Sequence, residues 1–155
     1  MIITFFIGPP AVGTPKKIIK EILAEIKPKQ GSLFIDLGSG SGQVIRIAVK
    51  KYRVTGLGIE INPLLVLWSK IMIFLENSKG ITFKRKNYLA VDLSSADTIF
   101  FYLLPKYLPP VVEKIEKECR KNTLVVSQRF KVEKWTNKLI KEMNRKNNST
   151  YIYKL

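Results

Sequence analysis

The chain of 155 residues contains no histidine and a single cysteine, Cys119. Without histidine it cannot build a Ser-His-Asp or Cys-His catalytic system, nor a histidine-ligated metal site. A single cysteine excludes an internal disulfide and a cysteine-rich zinc site, so we expect no metal. A chain without disulfides suits a reducing compartment, and the sequence therefore predicts a cytoplasmic protein.

Long apolar runs are also missing, and none is long enough to cross a bilayer. Met1–Ile7 is apolar, but it lacks a basic start and a small-residue cleavage site, and Pro9-Pro10 ends it. We interpret it as an ordered N-terminal segment rather than a signal peptide. Contact of this segment with an anionic membrane surface, which would make the protein peripheral to a membrane, stays open.

Acidic residues are scarce: 12 Asp and Glu stand against 27 Lys and Arg, a formal net charge of +15. The excess is largest in residues 106–155, with 13 basic and 5 acidic groups. Such a balance favours an anionic partner, such as RNA, DNA, anionic lipid or an acidic protein. A general bias of the composition toward Lys and Ile explains the same numbers, and the sequence does not separate the two explanations.

The length and a hydrophobic fraction of 46% predict one globular domain spanning residues 1–155. Strand-like and helix-like segments alternate, which indicates an α/β sheet. The first predicted helix begins with Thr14 as its cap and Pro15 at the first helical position, and it ends at Pro28. The predicted strands are Ser32–Leu37, Val54–Ile61, Ile81–Lys84, Thr98–Leu103 and Thr123–Phe130. Further helices are predicted over Gln43–Lys51, from Asn62-Pro63 to about Glu76, and from Pro109-Pro110 onward.

Two expectations concern helices, and one segment is ambiguous. The helix after Asn62 is apolar on nearly all sides, so we expect it to be buried. The helix after Pro110 should be supported by a Glu113–Lys117 pair. The tail is either a helix over Glu133–Lys146 or a hairpin of Lys138–Met143 with Thr150–Leu155.

The strongest motif is the turn Gly38-Ser39-Gly40-Ser41-Gly42 between the first strand and its helix. Glycine is needed where a backbone turns tightly and approaches a ligand closely. The first strand of such a sheet sits at the switch point, where the ligand crevice lies. The spacing differs from the dinucleotide pattern G-x-G-x-x-G, so a pyrophosphate contact is not implied.

A second signal is Glu60, at the end of the second strand and 18 residues beyond Gly42. An acidic side chain there can accept both hydroxyls of a ribose. The motif, the spaced Glu60 and the alternation of strands and helices form the arrangement that holds S-adenosylmethionine in seven-strand methyltransferases. The alternative is a tight turn with a surface glutamate.

Three further positions follow from the expected geometry, each with a structural alternative. Asp36, at the tip of the first strand, can meet the cationic methionine end of the cofactor, or bond the amides of its own turn. Asn87 can bond the adenine amino group, or shape a turn. Tyr102, at the end of the fourth strand, should face the transferred methyl group, or be a core or rim aromatic.

Two other conspicuous residues are assigned no chemistry, and the role of one basic segment stays open. Asp97 lies at the N-terminal end of its strand, away from the crevice. Cys119 lies on the packed face of its helix, which favours a core residue over a nucleophile. Lys84-Arg85-Lys86 either contacts phosphates or forms a solvated loop.

These residues resemble a family, the small protein-lysine methyltransferases related to the mitochondrial enzymes for the ATP synthase c subunit and the adenine nucleotide translocase. The matching pieces are Thr14-Pro15, Asp36–Gly42, Glu60–Val66 with Trp68-Ser69-Lys70, Tyr102-Leu103-Leu104-Pro105, and Ser127-Gln128-Arg129-Phe130 with Trp135. The loop from Asp36 to Val44 is also similar to that of the non-SET histone lysine methyltransferases. The mitochondrial enzymes carry a membrane-targeting segment before the domain, of which this chain has almost none.

The resemblance implies a class I fold: a Rossmann-like seven-strand sheet with an N-terminal helix and a C-terminal antiparallel hairpin. It implies S-adenosyl-L-methionine as cofactor, S-adenosyl-L-homocysteine as product, and a protein lysine as acceptor. Tyr102 is the candidate catalytic residue. The expected cofactor-binding residues are Thr14, Asp36, Gly38, Ser39, Gly40, Gly42, Gln43, Glu60, Ile61, Asn62, Asn87 and Tyr102.

Two alternatives to lysine methylation remain. An RNA methyltransferase would suit the basic charge, but Tyr102-Leu103-Leu104-Pro105 lacks the acidic or amide group that amino-methylating nucleic-acid enzymes usually carry there. The second alternative is a non-catalytic binding protein with a methyltransferase-like fold. The intact glycines and Glu60 argue against it.

Overall fold

The computed structural model describes residues 13–155, which form one mixed sheet flanked by helices. The strands are β1 (Leu33–Leu37), β2 (Thr55–Glu60), β3 (Ile81–Arg85), β4 (Thr98–Phe101), β5 (Leu124–Gln128), β6 (Leu139–Met143) and β7 (Thr150–Lys154). The α-helices are α1 (Lys16–Ile26), α2 (Gln43–Tyr52), α3 (Pro63–Leu75) and α4 (Leu108–Glu118). Short 3₁₀ segments cover Tyr88–Ala90, Pro105–Tyr107 and Glu133–Lys138.

Across residues 13–155 the sheet has seven strands in the order β3-β2-β1-β4-β5-β7-β6. The first five are parallel, and β7 pairs antiparallel with both β5 and β6. The chain moves outward from β1 in one direction and then in the other, so β1 lies at the switch point between β2 and β4. This arrangement confirms the predicted seven-strand Rossmann-like sheet.

The C-terminal tail forms the hairpin of β6 and β7 that the family resemblance favours. Only Glu133–Lys138, as a short 3₁₀ segment, remains of the alternative long helix. Trp135 and Tyr153 are fully buried and meet edge to face, with ring centroids 5.4 Å apart. This aromatic packing anchors the hairpin to the domain, which explains why the tail is strand and not helix.

The two faces of the sheet bury separate apolar clusters. One cluster joins α1 and α2 to the sheet through residues such as Ile19, Ile45 and Phe100. The other joins α4 and the Trp135 region through residues such as Ile99 and Ile115. Strand β4 is buried at every position because it feeds both clusters, as expected for a central parallel strand.

The prediction that α3 is buried is wrong. Only Val66 and Ser69 of this helix are buried, and six of its large apolar side chains are exposed. The helix packs against β2 and β3, and β3 is the edge strand of the sheet. Among residues 13–155 no element covers its other side. The apolar residues of α3 therefore lie on both its packed inner face and its exposed outer face.

Two local predictions also need correction. The N-cap residue of α1 is Pro15, and no side chain hydrogen-bonds to the free N–H groups at the start of the helix. Thr14 is therefore not the N-cap, and Pro15 lies one position earlier than expected. Thr14 is instead buried against the site described below. In α4 the ion pair at this spacing joins Lys114 to Glu118, one residue beyond the predicted Glu113–Lys117 pair.

Within residues 13–155, no helix combines the length and the apolarity that crossing a membrane requires. The apolar segment Met1–Ile7, whose contact with a membrane stays open, lies outside the described residues.

Candidate active site

A cavity of about 540 Å³ lies at the carboxyl ends of β1, β2 and β4. Its walls are the glycine loop after β1, the end of β2, the turn after β3 and the end of β4. The topological switch point of an open α/β sheet is where such sheets bind ligands. The volume falls within the range of small-molecule sites, roughly 300–1,000 Å³.

Ten of the twelve residues predicted to bind the cofactor line this cavity. They are Thr14, Asp36, Gly38, Ser39, Gly40, Gln43, Glu60, Ile61, Asn87 and Tyr102. The sequence motifs, spread over nearly 90 positions, are thus brought together in one place by the parallel topology.

The other two, Gly42 and Asn62, do not line the cavity and have structural roles. Gly42 caps α2 with a φ of 74°, and a Cβ there would lie 2.4 Å from the Phe83 ring. Glycine is therefore required by backbone conformation and packing. Asn62 caps α3, because its side-chain oxygen accepts a hydrogen bond from the Leu64 N–H at 3.0 Å.

The glycine loop is held against the end of β2 by backbone hydrogen bonds. The N–H groups of Gly38 and Ser39 both donate to the Ile59 carbonyl, at 2.8 and 2.9 Å. Gly40 has a φ of 54°, and a Cβ at this position would meet no atom within 4 Å. Backbone conformation, and not crowding by the protein, therefore requires glycine at position 40, and the space beside it is available to a ligand.

Glu60 ties the loop to the start of α3. One carboxylate oxygen accepts the Gly40 N–H at 2.9 Å, and the other accepts the Asn62 N–H, also at 2.9 Å. Each carboxylate oxygen can accept a second hydrogen bond. The carboxylate is thus fixed in the cavity wall and still able to accept the two hydroxyls of a ribose.

Asp36 is a buried carboxyl in the cavity wall, with 2% of its surface exposed. Its burial, and next the nearby negative charge of Glu60, raise the pKa of Asp36 well above the usual value. No hydrogen-bond donor among residues 13–155 offsets these effects. A buried acid that lacks a partner is suited to a cationic ligand group, which would restore its charged form.

These features fit S-adenosylmethionine, part by part. The ammonium and sulfonium of its methionine end match Asp36, and its ribose hydroxyls match Glu60. Ile61 and Leu89, both partly exposed in the cavity wall, offer apolar contact to an adenine ring. The residues present therefore suit this cofactor.

Asn87 has a structural role that the sequence left open. Its side-chain oxygen accepts the Leu89 N–H at 2.9 Å and caps the 3₁₀ segment that follows. In the structure Asn87 therefore shapes a turn, which is the second of the two roles expected for it. One lone pair of that oxygen remains for the adenine amino group, so its predicted role stays a prediction.

Arg129 is a candidate that sequence reasoning did not assign to the site. One guanidinium nitrogen of Arg129 donates to the Tyr102 hydroxyl oxygen at 3.1 Å, and the guanidinium lies 5.5 Å from the centre of the Phe130 ring. Arg129 follows β5, which neighbours β4 in the sheet, so the ends of the two strands lie side by side. The available signal was its place near the end of the predicted strand Thr123–Phe130, within the family-matching piece Ser127-Gln128-Arg129-Phe130.

Asp97 and Cys119, excluded from chemistry on sequence grounds, are placed consistently with that exclusion. Asp97 accepts hydrogen bonds from the Leu33 N–H and from Arg120 at the opposite end of the sheet. Burial raises the pKa of the Cys119 thiol to about 11, which keeps the thiol protonated and weakly nucleophilic. Lys84, Arg85 and Lys86 are exposed and do not line the cavity.

Known proteins similar to this chain agree with the geometry. A protein-lysine N-methyltransferase of Saccharolobus islandicus is 33% identical over 153 residues, covering 93% of this chain and 92% of that protein. The human lysine N-methyltransferase for the c subunit of ATP synthase is 29% identical over 128 residues. That match covers 82% of this chain and 54% of the human protein, so the chain corresponds to about half of it.

Solved structures show the same fold. An RNA methyltransferase of Salinibacter ruber, in complex with S-adenosyl-L-homocysteine, superposes with a TM-score of 0.87 at 24% identity. The superposition covers 92% of this chain and 93% of that protein. The model of the family described as the ANTKMT methyltransferase domain matches residues 36–139, from the end of β1 to the start of β6. This chain belongs to the ANTKMT methyltransferase domain family.

Proposed function

We propose that this protein transfers a methyl group from S-adenosylmethionine to lysine side chains of a protein substrate. The observation that carries the proposal is the convergence of Asp36, Glu60 and Tyr102 at one switch-point cavity, with Arg129 hydrogen-bonded to Tyr102. Three relatives described as lysine methyltransferases, from Saccharolobus islandicus, human and mouse, support lysine as the acceptor.

When bound, the cofactor supplies an activated methyl group on a sulfonium centre. The protein has to hold the acceptor nitrogen in line with that group and exclude poorly aligned approaches. We assign the cavity walls near Asp36 and Glu60 to cofactor binding, and the Tyr102 side to the acceptor.

The acceptor lysine must be neutral, because an ammonium has no lone pair. A free lysine has a pKa of about 10.4, so the site must disfavour its charged form. The Arg129 guanidinium, hydrogen-bonded to Tyr102, is a fixed positive charge beside the proposed acceptor position. Like charge lowers the pKa of a neighbouring lysine, and Arg129 therefore favours the neutral amine.

Tyr102 is positioned to orient that amine. Its oxygen uses one lone pair to accept from Arg129, and a second lone pair remains. An N–H of the neutral lysine can donate to it, which directs the nitrogen lone pair toward the methyl group. The chain has no histidine that could take this role.

Replacing Tyr102 with phenylalanine should lower kcat about tenfold, the equivalent of one hydrogen bond of about 1.5 kcal/mol. Cofactor affinity should stay within about twofold, because the ring that lines the cavity is retained. Steady-state kinetics with cofactor titration separates the two quantities. Tyr52→Phe, on α2 and outside the cavity, is the matched control. Equal kcat in both variants would refute an orienting role for the Tyr102 hydroxyl.

RNA is the alternative acceptor, and the formal net charge of +15 favours it. A positive protein also repels a cationic substrate, so a protein acceptor should present its lysine among acidic groups. The test is to incubate the purified protein with methyl-labelled S-adenosylmethionine and cell lysate, and then digest portions with protease or ribonuclease. We expect protease alone to release the label, whereas release by ribonuclease alone would replace lysine with RNA.

A further inference from the structure

The outward side of α3 is an uninterrupted apolar surface. We define the outer face of α3 as the six exposed side chains Leu64, Leu67, Trp68, Ile71, Phe74 and Leu75. Phe74 is 84% exposed and Trp68 is 51% exposed. Nine large hydrophobic side chains are exposed in residues 13–155, and six of them are on this one helix. Clustering of this kind marks an interaction site.

Helical geometry places all six on one side. At 100° per residue, these positions fall within an arc of about 120°, centred opposite the buried Val66 and Ser69. The stripe runs for about 16 Å along the helix at 1.5 Å per residue. Lys70, the one charged residue in Pro63–Leu75, lies outside the arc.

The surroundings of this face are basic. From residue 61 to residue 90 the chain has five basic residues, Lys70, Lys79, Lys84, Arg85 and Lys86, and one acidic residue, Glu76. Glu76 is ion-paired with Arg46 of α2, so its charge is already matched.

The basic segment Lys84–Lys86 is hydrogen-bonded to the chain between the end of β2 and the start of α3. The Arg85 side chain donates to the Ile61 carbonyl at 3.4 Å, and the Lys86 N–H donates to the Glu60 carbonyl at 3.2 Å. All three of its side chains are exposed. The apolar stripe and the basic segment therefore belong to one edge of the molecule, the β3 edge.

We propose that the outer face of α3 and the basic segment Lys84–Lys86 together bind an anionic membrane surface. An interfacial helix inserts Trp, Phe and Leu side chains about 5–10 Å into the headgroup boundary while neighbouring Lys and Arg contact anionic lipids. Each basic residue near an anionic leaflet contributes about 1 kcal/mol. A basic border is complementary to lipid phosphates, whereas a second copy of this edge would set like charges against each other.

Such binding would hold the cavity at the membrane surface. Ile61 and Leu65 line the cavity and adjoin the N-terminal end of the outer face of α3. The inference does not depend on the proposed methyl transfer, because it rests on a different surface.

Trp68 provides a direct measurement. The sequence has two tryptophans, and Trp135 is fully buried, so Trp68 reports on the outer face of α3. Vesicles of phosphatidylcholine with phosphatidylglycerol should shift the tryptophan emission of the 155-residue chain to the blue and carry the protein down on sedimentation. Pure phosphatidylcholine vesicles should bind at least about tenfold more weakly, since two or more basic contacts are lost.

Matched variants separate the two parts of the surface. The double variant Leu67→Glu, Ile71→Glu should reduce sedimentation with anionic vesicles at least about tenfold. Lys84→Ser with Lys86→Ser removes about 2 kcal/mol and should weaken sedimentation with anionic vesicles roughly 30-fold at low salt, and less at high salt. Ile140→Glu is the control, because Ile140 is 55% exposed on β6, at the opposite edge of the sheet, and should bind as the parent does.

Three results would overturn the proposal. The first is the absence of vesicle binding, or equal binding to anionic and zwitterionic vesicles. The second is a blue shift without vesicles that grows with protein concentration, accompanied by dimers in sedimentation velocity, which would assign the face to a second copy. The third is a red shift of Trp68 without vesicles on replacing Phe5 and Phe6 with aspartate, which would show that the chain's own first residues cover the face.

Discussion

Replacing Asp36 with asparagine will stabilise the cofactor-free protein at neutral pH. The pKa of Asp36 is raised in the folded state, first by burial and then by the charge of Glu60. Between the unfolded pKa and this raised value, the folded protein holds more protons than the unfolded chain. Stability therefore falls as the pH rises through that window, and the neutral asparagine removes this loss.

Within that window the gain should grow by up to about 1.4 kcal/mol per pH unit, because the folded protein holds one proton that the unfolded chain has released. For a chain of this length such a gain corresponds to a rise in Tm of several degrees, at roughly 2–4 °C per kcal/mol. Calorimetry across pH is the measurement. The difference between the two proteins should shrink as the pH falls and vanish below the unfolded pKa of the carboxyl.

The same substitution will weaken cofactor binding severely. Asparagine cannot supply a negative charge to a cationic ligand group, and charge-assisted hydrogen bonds contribute about 1.5–3 kcal/mol each. We expect a loss of roughly 10- to 100-fold in affinity for S-adenosylmethionine by calorimetric titration. Asp97→Asn, at the other end of the sheet, serves as the control and should bind normally. If Asp36→Asn bound the cofactor as the parent does, the assignment of Asp36 to the cationic end would be wrong.

Replacing Glu60 with glutamine will have a comparable effect through a different contact. Both carboxylate oxygens of Glu60 accept backbone N–H groups, from Gly40 and from Asn62. A glutamine in either orientation places its NH₂ group against one of these donors, so one tie between the loop and α3 is lost. The charge that would accept the ribose hydroxyls is lost as well.

We expect Glu60→Gln to weaken S-adenosylmethionine binding by on the order of 10- to 100-fold. Comparing adenosine with 2′-deoxyadenosine as competing ligands isolates the ribose contact. The parent should prefer adenosine, and the variant should lose most of that preference. A variant that binds weakly yet keeps the full preference would show that Glu60 only shapes the loop.

The sheet and the cavity were predictable because each depends on short-range patterns. Apolar strands alternating with helices fix a parallel sheet, and glycines directly after β1 with Glu60 at the end of β2 mark the switch point. The tail was ambiguous from its own residues, because the packing of Trp135 against Tyr153 joins positions 18 residues apart. A resemblance to a family resolved what local periodicity could not.

The remaining errors have a common physical origin. The apolar composition of α3 predicts burial only if both faces have neighbours, and its position at the sheet edge is a property of the whole topology. Gly42 and the other loop glycines look alike in sequence, but Gly42 is constrained by Phe83 on a strand about 40 residues away. Arg129 joins the site because β5 lies beside β4, which no spacing within its own segment indicates.

The most direct test of the central claim is amino-acid analysis of the acceptor after transfer of a labelled methyl group. Protein from the lysate reaction would be separated from nucleic acid, hydrolysed in acid, and the labelled product identified by chromatography. The cavity with Asp36, Glu60 and Tyr102 predicts methyl-lysine as the labelled product, and its loss with Asp36→Asn at a cofactor concentration that saturates only the parent. Label in methyl-arginine or a methyl ester, or recovered only in the nucleic acid, would contradict it.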